Sequence, residues 1–163
     1  MSSLDFRLDE VLELAEEIER NGAAYYRRAA AVVHDGSVRA LLESLATKED
    51  EHEKCFHTLR SLLSGSSSFD VKNDEENISY LRAFASRSIF HPTSGIEQSD
   101  YDLDATTVLK TALGLEKDSI AFYLGIRQST EGKEALEIVD RIIREEMGHV
   151  TELAMTLKNL EEA

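Results

Sequence analysis

The sequence is poor in residues that break helices and in residues that staple small folds. It has one proline, eight glycines, one cysteine and no tryptophan. With Cys55 alone, the chain can build neither a disulfide framework nor a thiolate metal cluster. So little proline and glycine, among many Leu, Ala, Glu and Arg residues, favours helix over sheet. No apolar run approaches the length of about 20 residues that crosses a bilayer, which predicts no membrane span. The first ten residues carry charges and lack the apolar centre of a secretion signal, so the expected setting is a reducing cytoplasm. Positive charge is scarce as well. Against 32 Asp and Glu stand 18 Lys and Arg, a formal net charge of −14. Such a surface repels a phosphate backbone, and the few aromatics offer no stacking platform, so nucleic acid is set aside as a partner.

What is present is helical periodicity. The 163 residues, 42% hydrophobic, suffice for one well-buried core and not for two, so residues 1–163 are expected to form a single domain. Val11, Leu12, Ala15, Ile18, Tyr25, Tyr26, Ala29 and Ala30 recur at helical spacing and predict a first helix over about 8–33. His34-Asp35-Gly36-Ser37 reads as a stop and a new start. Leu41, Leu42, Leu45, Ala46, Phe56, Leu59 and Leu63 then predict a second helix to about residue 63. Third and fourth helices are expected over about 103–127 and 132–160. Between the pairs, Tyr80, Leu81, Phe84, Ile89 and Phe90 suggest one short helix. The plan is all-α: a four-helix bundle of two hairpins, about 8–63 and 103–160, joined by one long crossover over about 64–102.

The two hairpins repeat each other at an offset of 97 positions. Ala15 matches Ala112, Glu19 matches Glu116, and Tyr25-Tyr26 matches Phe122-Tyr123. Leu41-Leu42 matches Ile138-Val139, Leu45 matches Ile142, Glu49 matches Glu146, and His52 matches His149. The repeat predicts an approximate two-fold axis. Glutamate is the commonest solvated helix residue, and this chain has 21, so a lone Glu-x-x-His is a weak signal. Here each Glu-x-x-His follows a glutamate placed 30 residues upstream, and each of those glutamates precedes an aromatic-Tyr pair at the same distance. That shared context points to one six-ligand metal site.

The chemistry follows from the spacing. Residues at i and i+3 are neighbours on a helix face, so Glu49 with His52, and Glu146 with His149, can reach one ion together. Tyr26 and Tyr123 fall seven residues after Glu19 and Glu116, on the same inward stripe. Four glutamates in a helical interior would cost several kcal/mol each if unpaired. Two divalent cations would balance them. Carboxylate and imidazole without thiolate suit iron or manganese, with zinc or cobalt able to substitute. The two tyrosines read equally as donors to ligand carboxylates or as core fillers.

These segments resemble a known family. Ile18-Glu19-Arg20-Asn21-Gly22-Ala23-Ala24-Tyr25-Tyr26 with Leu45 through His52, and Glu116 through Tyr123 with Ile143 through His149, are similar to the rubrerythrin group of the ferritin-like superfamily. The resemblance spans both hairpins. It implies two iron ions held by Glu19, Glu49, His52, Glu116, Glu146 and His149, with Glu49 and Glu146 bridging. It also implies reaction with hydrogen peroxide or dioxygen, and a homodimer. Two features depart from the family pattern. Longer rubrerythrins end in a rubredoxin domain with four cysteines; one cysteine here implies a separate electron donor protein. They also carry an extra glutamate three residues after the third-helix ligand, tied to iron movement under peroxide, where this chain has Ser119. Iron binding with ferroxidase-type handling, and a structural di-metal bundle, stand as alternative readings.

The remaining candidates read as structural. Glu145 is expected to be solvated, because its repeat partner is Lys48, and Glu16 and Glu17 are expected at the surface. Cys55, matched by Glu152, is expected off the buried seam. His34, His57 and His91 read as surface imidazoles. Phe84, Ile89 and Phe90 are expected to pin the crossover or a dimer contact.

Overall fold

The computed structural model of the chain describes residues 8–64, 75–86 and 104–163. Among them run five helices and no strand: α1 (Leu8–Val32), α2 (Gly36–Ser64), α3 (Glu75–Ser86), α4 (Ala105–Ser129) and α5 (Lys133–Glu162). The helix starts follow from local chemistry. Asp35 Oδ1 accepts the backbone N–H groups of Ser37 and Val38, both at 2.9 Å, which caps α2. Asp104 does the same for Thr107 N at 2.9 Å, so α4 starts two residues later than its periodicity predicts. Gly132 turns the chain into α5 with φ at +90°, a value that side-chain-bearing residues rarely adopt.

The architecture is the all-α bundle that the periodicity predicts. Helix α1 packs along α2, and α4 along α5. The hairpins meet where α1 faces α4 and α2 faces α5. Two apolar clusters fill the interior. The 97-residue offset exchanges them. Val11, Leu12, Ala15 and Phe56 lie in one, and their counterparts Val108, Leu109, Ala112 and Leu153 lie in the other. No helix among the described residues is long and apolar enough to cross a membrane.

Helix α3 breaks the symmetry. It lies on α4, where the Asn77 amide donates to Gly125 O at 3.0 Å and Ser129 Oγ at 2.6 Å, and the Tyr80 hydroxyl donates to Ala121 O. Leu81 is fully buried in the first cluster. The close approach requires Gly125: a Cβ there would lie 2.7 Å from Leu81 Cδ2. The repeat partner of Gly125 is Arg28, so α1 offers no such seat. Phe84 packs on Tyr80 and Phe122, pinning α3 as its sequence suggests. Ile89, Phe90 and His91 lie outside the described residues.

Leu81 is the main apolar anchor of α3, and its loss leaves a cavity between α3 and α4. Leu81→Ala is expected to lower unfolding free energy by about 2–4 kcal/mol. Chemical denaturation of the purified variant measures this; a loss within about 0.5 kcal/mol would mean that α3 is not part of the cooperative core.

Candidate metal centre

Between the two apolar clusters lies a layer of charge. Glu19, Glu49, Glu116, Glu146, His52 and His149 are all buried, and Glu19 and Glu146 have no exposed surface at all. One long helix contributes each part: α1 brings Glu19, α2 brings Glu49 and His52, α4 brings Glu116, and α5 brings Glu146 and His149. Nδ1 of His52 lies 2.9 Å from Glu146 Oε1 and 3.6 Å from Glu19 Oε2. Nδ1 of His149 lies 3.1 Å from Glu146 Oε2, 3.3 Å from Glu49 Oε1 and 3.6 Å from Glu116 Oε1. The two imidazole planes are stacked, with centroids 5.5 Å apart.

The donor atoms fall into two overlapping groups. Glu19, Glu49, His52 and Glu146 form one; Glu49, Glu116, Glu146 and His149 form the other. Within each, one donor atom from every residue lies within 4.8 Å of the rest. Glu49 and Glu146 belong to both, and these are the two glutamates expected to bridge. The protein atoms do not satisfy one another. Glu19 Oε2 and Glu49 Oε1 are buried without a hydrogen-bond partner, and the buried His52 Nδ1 and Glu146 Oε1 have only their contact with each other. Buried polar atoms are rarely left so, and these atoms, spread over the two donor groups, fit cations as their missing partners.

The tyrosines cross between hairpins. Tyr26 on α1 donates its hydroxyl to Glu116 on α4, and Tyr123 on α4 donates to Glu19 on α1. Each therefore orients a glutamate of the opposite hairpin, not the glutamate on its own stripe. Gly22 leaves room beside the centre: a Cβ there would stand 3.3 Å from Glu49 Oε2. Its repeat partner is the buried Ser119. Neither position three residues after a terminal glutamate adds a carboxylate to the layer.

Two glutamates differ from their expected surface roles. Glu145 is not simply solvated: its Oε2 lies 2.8 Å from His52 Nε2, on the ring edge facing away from the cluster. Its own side chain stays 40% exposed. Comparison with Lys48 hides this contact, because the repeat is broken at that pair. Glu16 is buried at 7% exposure, with Oε1 3.4 Å from Arg60 Nε and 3.6 Å from His57 Nδ1. Position 16 lies between Leu12 and Glu19 on the inward side of α1, a periodic signal that its charge obscures. Glu17 is exposed, as are His34 and His57, and Cys55 is partly buried beside Arg141, off the metal layer.

Electrostatically, the metal-free cluster holds protons. Burial, reinforced by Glu49 and Glu146, pushes the Glu19 carboxyl well above its ordinary value. Burial and Glu146 push Glu116 from 4.5 up to about 8, against the opposing pull of His149. Burial favours the neutral imidazole at His52, but Glu146, Glu49 and Glu145 outweigh it and raise that group to about 9. The same contest at His149, with Glu116, Glu146 and Glu49, ends at about 12. Burial also opposes ionisation of Glu146, as does Glu49, yet hydrogen bonds from Glu116, His149 and His52 bring it below 4.5. Burial first, and then the carboxylate that each faces, raises both tyrosines, which stay neutral donors.

Comparison with known proteins bears on the family and the fold. The pattern of the ferritin-like domain matches residues 9–159. A candidate ferritin-like diiron-carboxylate protein of Thermotoga maritima, known from its crystal structure, superposes with a TM-score of 0.70. It is 19% identical, and the match covers 96% of this chain and 98% of that one. No curated protein sequence matches.

The protonation pattern sets the pH dependence of the metal-free fold. A group raised in the fold contributes stability below its unfolded value and loses it as pH rises through its folded value. Glu116 acts so between 4.5 and about 8, and His52 between 6.5 and about 9. Glu146 has the opposite sign, but its contribution changes only below 4.5. Metal-free protein is therefore expected to melt at progressively lower temperature from about pH 5 to about pH 9. Added divalent metal should stabilise more as pH rises, because ligands must release protons to bind it. Thermal unfolding with chelator and with metal across that range checks both. A metal-free Tm that rises with pH would contradict a proton-filled centre.

Proposed function

The chain belongs to the ferritin-like domain family, and from that premise we propose that it is a non-haem di-iron carboxylate protein of rubrerythrin-like type, reducing hydrogen peroxide or dioxygen. The observation that carries this reading is the pair of four-residue donor groups sharing Glu49 and Glu146. Two ions bridged by carboxylates are the simplest occupants of such a set. Four glutamates and two neutral imidazoles match two divalent cations in charge, and oxygen and nitrogen donors without thiolate suit iron, with manganese or zinc as substitutes. When bound, two ferrous ions supply the two electrons that convert hydrogen peroxide and two protons to two waters.

The chain's residues perform the rest. Glu19 and Glu116 would serve as terminal ligands, and Oε1 of each accepts a tyrosine hydroxyl, from Tyr123 and Tyr26 respectively. The imidazoles present Nδ1 inward. The apolar clusters on either side limit water around the layer, which strengthens each electrostatic contact within it. In this reading a separate protein in the reducing cytoplasm returns electrons after each turnover. The absence of a carboxylate at both Gly22 and Ser119 sets the site apart from rubrerythrins with the extra glutamate, and favours a fixed pair of ions over one that shifts.

Metal analysis of anaerobically purified protein, followed by titration of the ferrous form with hydrogen peroxide, tests the proposal. Two irons per chain and one peroxide consumed per pair are expected, with repeated consumption when a reductant is added. Glu146→Ala should lose both ions, because that residue serves both groups. Iron oxidised once and then retained or released would instead favour ferroxidase-type iron handling. Metal indifferent to oxidant would leave a structural role.

A further inference from the structure

The 97-residue repeat makes each break in symmetry at the metal layer informative. Both imidazoles turn Nδ1 toward the carboxylates. On its other edge His52 meets Glu145, with Nε2 2.8 Å from Oε2. The position equivalent to Glu145 beside His149 is Lys48. An ammonium carries donors only and cannot accept an imidazole N–H. There the structure opens instead into a pocket of about 240 Å³ in which His149 lies with Ser44, Lys48, Glu145 and Glu152.

The difference has a direct chemical meaning. A carboxylate on the far nitrogen of a ligating histidine fixes the tautomer that leaves the near nitrogen free to bind. It also holds the ring in place and raises its basicity. His52 has that support, while His149 has a cation at the matching position.

We propose that Glu145 is a positioning residue that makes the two metal positions unequal, so that the ion of Glu19 and His52 binds first and more tightly, and the ion of Glu116 and His149 is the exchangeable one. The inference rests on the di-metal reading above and adds an order of filling to it. Glu145 meets His52 Nε2 at 2.8 Å and Arg141 Nε at 4.0 Å, so it bears on the metal layer through His52. Its partial exposure means that it can be replaced without opening the core.

Titration of metal-free protein with cobalt(II), followed by calorimetry and by ligand-field absorption, tests the order. Wild type is expected to take up two ions in two resolved steps. Glu145→Ala should weaken the first step by about 10–100-fold, change the absorption of the first-bound ion and leave the second step unchanged. Glu145→Gln, which keeps an acceptor oxygen, should recover part of the loss. Lys48→Glu should tighten the second step toward the first. The unfolding midpoint of metal-free Glu145→Gln, which keeps an acceptor for His52 Nε2, should stay close to wild type while its first step is weaker, which a merely structural role for Glu145 would not allow. Two equal steps in wild type, or Glu145→Ala weakening both steps alike, would overturn the proposal and leave the di-metal reading standing. Uptake of a single ion by wild type would overturn both.

Discussion

Four carboxylates buried side by side in a helical interior repel one another and lack solvent, and the surrounding structure answers that problem. Glu19, Glu49, Glu116 and Glu146 approach through four different helices, so no single element can relieve the strain. Protons and two imidazoles share the charge in the metal-free state, and cations bound there would displace the protons. Removing one member of such a buried set leaves its partners uncompensated, at a cost of about 3–5 kcal/mol. The fold confines this expense to one layer and places apolar clusters on both sides of it.

The crossed tyrosines give the arrangement its rigidity. A glutamate on its own helix has several rotamers; held by a hydroxyl from the opposite hairpin, it has one useful orientation. Ligand geometry therefore depends on the docking of the two hairpins. The seat of α3 on α4 reinforces one end of that docking through Leu81 and Gly125, with no counterpart on α1.

Much of this was legible in the sequence, for identifiable reasons. Helical periodicity and a two-residue shift at Asp104 account for the bundle helices, because long amphipathic stripes leave few alternatives. That these six side chains would share one buried layer was readable because the repeat states them twice. The partners of the tyrosines were not, since spacing within a helix cannot say which neighbouring helix a side chain will meet. Glu145 and Glu16 were misplaced for a related reason. One contact exists in only one half of the repeat, and the other depends on Arg60 and His57 approaching from α2. The short helix was visible through Tyr80, Leu81 and Phe84, but its seat on Gly125 was not, because glycine carries no hydrophobic signal.

The two donor groups also divide the chain unevenly. Each takes three residues from one hairpin and borrows a single glutamate from the other. A lone hairpin paired with a copy of itself would offer the same six donors in perfect symmetry, and any change in it would appear twice. Covalent tandem arrangement removes that constraint. Lys48 and Glu145, or Gly22 and Ser119, can differ within one molecule. Joining the halves thus gives the chain independent control over two positions that self-assembly would force to be identical.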